Sequence, residues 1–131
     1  MMKIMVGYDG SNAAKNALNL AKVHAKAFHA KVYVLTSMVK GEEKQVQEIR
    51  NTEHELEYIK SQFEEEKIPC EIHLLIRGLS PGDDLVQFAR DNNADEIIVG
   101  VEKKSKVGKF VFGSNAQYVI LEAHCPVVTV K

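Results

Sequence analysis

Gly100-Val101-Glu102-Lys103-Lys104-Ser105-Lys106-Val107-Gly108-Lys109-Phe110-Val111-Phe112-Gly113-Ser114 joins two segments of different periodicity. Before it stands Glu96-Ile97-Ile98-Val99, a short apolar run of the kind that forms a strand covered on both faces. After it, Ala116, Val119, Ile120 and Ala123 recur at helical spacing. A strand therefore ends in Gly100, a basic loop follows, and Gly113-Ser114 opens a helix. The loop carries four lysines, Lys103, Lys104, Lys106 and Lys109, against the single Glu102, a local net charge of +3. Unpaired N–H groups at a helix start and positive charge in the preceding loop favour an anion such as phosphate. Lysines act on phosphate as point charges.

The same alternation extends in both directions from this stretch. Ile4-Met5-Val6 is a strand that ends in the turn cluster Gly7-Tyr8-Asp9-Gly10-Ser11. Ser11 or Asn12 can cap a helix whose apolar face is Ala14, Ala17, Leu18, Ala21, Ala25 and Phe28. Val32-Tyr33-Val34-Leu35 is the second strand, and Thr36-Ser37-Met38-Val39-Lys40-Gly41 leaves it as a loop. A second helix over Glu42–Lys67 carries the stripe Val46, Ile49, Leu56, Ile59 and Phe63, with a strongly acidic outer face. Pro69 ends it before a third strand, Ile72–Ile76. Ser80-Pro81 starts a third helix as cap and first residue, with Leu85, Phe88 and Ala89 on its inner face and Asn92-Asn93 at its end. Val127-Val128-Thr129-Val130 closes the chain as a fifth strand after Pro126. The order β-α-β-α-β-α-β-α-β predicts an α/β fold, a parallel sheet with helices on both faces.

Totals bound the function. A chain of 131 residues is expected to form a single domain over residues 1–131, large enough for a real core. The net charge of −1 argues against a nucleic-acid partner held by overall charge. Lys3 and the early turn argue against a signal peptide, and no apolar run reaches the ~20 residues of a membrane span. Two cysteines, Cys70 and Cys125, make no disulfide framework and fit a reducing, cytoplasmic setting. A Walker loop, an HExxH zinc site and a Gly-x-Ser-x-Gly elbow are all missing. The third strand leads into Arg77-Gly78, where a phosphoacceptor receiver would want an aspartate.

In an open parallel sheet, ligands bind beyond the strands' carboxyl ends, where strand order reverses. Asp9 after the first strand, Gly100 after the fourth, Gly113-Ser114 at the last helix and the closing Cys125-Pro126-Val127-Val128-Thr129-Val130 resemble the universal stress protein family over essentially the whole chain. Its nucleotide-binding branch has a glycine, two residues, a glycine, nine residues, then Gly-Ser. Gly100 and Gly113-Ser114 keep that spacing, and Lys103 stands in place of the middle glycine. The resemblance implies a Rossmann-like five-stranded sheet ordered 3-2-1-4-5, a homodimer through the C-terminal strand, and an ATP or AMP site between the first and fourth strands, with Mg²⁺ accompanying ATP. The residues it implies for that site are Gly7, Asp9, Ser37, Gly100, Lys103, Gly113, Ser114 and Asn115. Asp9 would meet the ribose or the adenine, and the backbone near Ser37 the adenine edge. Gly100 would allow close approach to ribose and phosphates; Gly113, Ser114 and Asn115 would hold phosphate oxygens. Two alternatives share the same residues: a slow ATPase or phosphotransferase, and a nucleotide-free dimeric interaction module.

Overall fold

Each strand sends alternate side chains to opposite faces of the sheet, and here both faces are covered. The computed structural model describes residues 1–39, 45–102 and 113–131. The elements run β1 (Lys3–Gly7), α1 (Asn12–Phe28), β2 (Lys31–Ser37), α2 (Gln45–Glu65), β3 (Cys70–Leu75), α3 (Pro81–Asp91), β4 (Glu96–Gly100), α4 (Ser114–Glu122) and β5 (Val127–Val130). The sheet is parallel throughout, in the order β3-β2-β1-β4-β5. Chain order reverses beside β1. It pairs with β2 on one side and β4 on the other, and Gly7 stands level with both Leu35 and Val99.

The apolar runs divide between two cores. Ile4, Val6, Val32, Val34 and Ile98 pack with Ala14, Ala17, Ala21 and Ala25 of α1 and with Leu56, Ile59 and Phe63 of α2. The alternate residues Met5, Tyr33, Leu35, Ile97 and Val99 pack with Leu85, Val86, Phe88 and Ala89 of α3 and Val119 of α4. Small alanines on α1 let that helix lie close to the sheet, and at the end of β4 its backbone meets Gly100. A Cβ on Gly100 would stand 2.5 Å from the backbone carbon of Ala13 and 2.6 Å from the backbone nitrogen of Ala14.

Helix starts follow the expected chemistry at two places. The Ser11 hydroxyl accepts from the Ala14 N–H at 3.1 Å, and Ser80 caps α3 with Pro81 as its first residue. Several sequence expectations need correction. Thr36 and Ser37 belong to β2 rather than to a loop, because pairing with Leu74 and Leu75 of β3 carries the strand further. Strand β3 starts at Cys70, not Ile72. Phe28 and Val46 are exposed, each in the terminal turn of its helix. Of the apolar positions on α4 only Val119 is buried, and Ile120 is exposed. Residues 42–44, read as the start of the second helix, lie outside the described residues. Both cysteines are free thiols; burial pushes that of Cys70 up to about 12. Among the described residues, no helix is long and apolar enough to cross a membrane.

Candidate functional site

A crevice of about 380 Å³ opens above the carboxyl ends of β1, β2 and β4. Its size falls within the roughly 300–1,000 Å³ of small-molecule sites. Leu35, Leu85, Val99 and Val119 give it apolar walls, and its rim is polar. Gly7, Asp9, Ser37, Gly100, Gly113, Ser114 and Asn115 all line it. The fold thus gathers seven of the eight residues named from the sequence. Lys103, the eighth, lies outside the described residues, as do the other three loop lysines.

One rim is the start of α4. Gly113, and not Ser114, is the N-cap; its φ of −60° and ψ of 153° are extended, and it has no side chain with which to cap. The first backbone bond of the helix runs from the Gln117 N–H to the Gly113 carbonyl at 3.0 Å. The N–H groups of Ser114, Asn115 and Ala116 therefore have no acceptor within the helix. The first turn of α4 also holds no acidic residue, so no carboxylate within that turn offsets the positive end of the helix. The neighbouring helix differs. The first turn of α3 contains Asp83 and Asp84, and its Gly82 N–H donates to the Asn115 side-chain oxygen at 2.9 Å. That bond commits the Asn115 carbonyl to joining the two helices and leaves its backbone N–H for the crevice.

Across the crevice, the loop after β1 is shaped by its own side chains. Asp9 is exposed and accepts from the Ser11 N–H at 3.0 Å through Oδ1. Gly10 takes a φ of +83°, a conformation that costs residues with a Cβ. Tyr8 is buried beneath them, and its hydroxyl donates to the Glu55 carboxylate of α2. Burial, and then the bond to Glu55, push the Tyr8 phenol well above the ordinary tyrosine value. A raised folded value means stability that is whole below the unfolded pKa near 10 and lost as pH climbs toward the folded one. Between pH 10 and 11 the protein should lose about 1 kcal/mol through Tyr8. Urea unfolding of wild type and Tyr8→Phe at both pH values measures this; equal pH slopes in the two proteins would contradict it.

At the end of β2 lies a polar group that the sequence reading missed. Asp84 is fully buried. It accepts from the Ser37 hydroxyl at 2.7 Å and from Arg77 Nε at 2.6 Å, and it pairs with a second guanidinium nitrogen of Arg77. Arg77 comes just after β3 and looks like a solvated turn residue, and Asp84 resembles any acid in a first helical turn. A hint was available in Asp83-Asp84 after Ser80-Pro81, where the second acid falls on the same helical face as Phe88.

The chain matches the family model described as "Universal stress protein family" over residues 1–131. A universal stress protein of Methanocaldococcus jannaschii is 32% identical over 98% of this chain and 81% of its own length. The universal stress protein structure from Archaeoglobus fulgidus is 36% identical with a TM-score of 0.89, covering 100% of this chain and 99% of that one. An A. fulgidus universal stress protein in complex with dAMP is 33% identical with a TM-score of 0.83, covering 100% and 98%.

Proposed function

This chain belongs to the universal stress protein family, and on that premise we propose that it is a regulatory, stress-response module that binds ATP or AMP in the crevice between β1 and β4. The observation that carries the reading is the start of α4: three N–H groups without helical acceptors, no capping side chain and no acid, facing an apolar-walled crevice. Phosphate is the ligand group such a helix end favours. The dAMP complex of a relative 33% identical supports an adenine nucleotide in particular.

In this reading Ser114, Asn115 and Gly113 meet phosphate through backbone N–H groups, with the Ser114 hydroxyl as a further donor. Asp9 faces the ribose with the carboxylate oxygen not used by Ser11. Gly7 and Gly100 form the floor, and Lys103 adds charge near the phosphates. Among the described residues no three His, Cys, Asp or Glu side chains converge on one point. A Mg²⁺ ion arriving with ATP would therefore be held mainly by the phosphates. The module works in the cytoplasm as a homodimer. Its contact is the edge of β5, which pairs with β4 on its other side and leaves a row of backbone groups to be matched.

Calorimetric titration with ATP and AMP tests the site. At a hundredfold excess over Kd the ligand adds about 2.7 kcal/mol of stability, raising Tm by roughly 8 °C. Neither heat nor a Tm shift at millimolar nucleotide would overturn the reading.

A further inference from the structure

We propose that Ser37, oriented by Asp84 and Arg77, selects a base that carries an exocyclic amino group. The inference rests on the nucleotide reading above and adds a specificity element to it.

The argument starts with where the protons are. Asp84 is fully buried and paired with the Arg77 guanidinium, so its carboxylate acts only as an acceptor. The Ser37 hydroxyl has one proton, and the 2.7 Å bond to Asp84 uses it. Only lone pairs remain on that oxygen for the crevice that Ser37 lines. The neighbouring Thr36 hydroxyl also gives its proton inward, to the Tyr8 carbonyl at 2.8 Å. The end of β2 therefore presents acceptors, while the start of α4 presents N–H donors.

Both ends line the one crevice, over the neighbouring strand ends of β2, β1 and β4. Two strand spacings separate β2 from β4, about 10 Å. A nucleotide that fills this crevice with its phosphate at α4 meets the end of β2 with its base. An amino group on that base donates to Ser37. A carbonyl in the same place sets acceptor against acceptor, and a site built around one hydrogen-bonding pattern discriminates strongly against the opposite one.

AMP and IMP form the test pair, since they differ only in whether the six-membered ring carries an amino or an oxo group with its matching ring proton. Wild type should bind AMP at least tenfold more tightly than IMP. Ser37→Ala should weaken AMP by about tenfold, change IMP less than threefold, and so remove the preference. Asp84→Asn is the sharper variant. Arg77 holds the amide oxygen, the amide NH₂ turns to Ser37, and the serine proton is released toward the crevice. The preference should then shift toward IMP, a change that simple loosening of the wall would not produce. Melting curves establish that each variant is folded.

Equal wild-type affinities for AMP and IMP would overturn this proposal and leave the nucleotide site standing. An AMP preference unchanged in Ser37→Ala would do the same. Binding of neither nucleotide would remove both readings together.

Discussion

Gly100→Ala will destabilise the protein by about 3 kcal/mol or more, at the top of the range for overpacked sites. The added methyl would sit 2.5 Å from the Ala13 carbonyl carbon, 2.6 Å from the Ala14 nitrogen and 2.8 Å from the Ala13 oxygen. These are backbone atoms at the start of α1. They cannot turn aside as a side-chain end can, so the helix or the strand must shift. Ala13 and Ala14 are buried, and α1 lies on the same core as β1 and β4, so a shift there disturbs the packing of the whole face. Gly113→Ala is the matched control. Among the described residues, apart from its chain neighbours, no atom lies within 4 Å of its added methyl, and its φ of −60° suits any residue. Losing glycine at an N-cap should cost no more than about 1 kcal/mol. Urea unfolding followed by circular dichroism compares the two. Equal midpoints would show that α1 does not press on the end of β4.

This pair of glycines also shows what the sequence could and could not convey. Their spacing, Gly100 with Gly113-Ser114, brought the family into view and with it the sheet order β3-β2-β1-β4-β5. Spacing alone does not say what each glycine is for. The resemblance gives Gly100 a place facing the ligand, and it lines the crevice; the structure adds a second demand on it, since the atoms nearest its missing Cβ belong to α1. The strands were legible because each is a short apolar run, and the long helices because their apolar residues recur every three or four positions. Element ends were less so. Thr36 and Ser37 look like turn residues, yet pairing with β3 holds them in β2. Phe28 fits the helical period of α1 but is its last residue and is exposed.

Asp84 was hidden for a different reason. The helical period hints at an inward-facing acid, but it does not name the partners: Ser37 at the end of β2, 47 positions away, and Arg77 in the turn after β3. The Tyr8–Glu55 bond likewise spans 47 positions. Both arise from tertiary contacts between segments whose local patterns do not mention each other.

Ser114→Asp should strengthen the fold and weaken nucleotide binding, two effects of opposite sign from one charge. Ser114 is the first residue of α4, in a first turn without acids. A carboxylate there meets the positive end of the helix and should add about 0.3–1 kcal/mol of stability. If phosphate occupies the same place, the carboxylate opposes it. Like charges about 4 Å apart near a protein surface repel by up to ~4 kcal/mol. Screening by solvent and salt leaves about 2 kcal/mol, roughly a thirtyfold rise in Kd for AMP. Adenosine has no phosphate, so its affinity should hardly change, and that separates charge repulsion from general damage to the crevice. Ser114→Ala removes only a hydroxyl and should weaken AMP a few-fold at most. The measurements are Tm without ligand and calorimetric Kd for AMP and adenosine. A Ser114→Asp protein that bound AMP as wild type does would place phosphate away from α4. One that lost AMP and adenosine equally would show that the aspartate had deformed the crevice instead of repelling an anion.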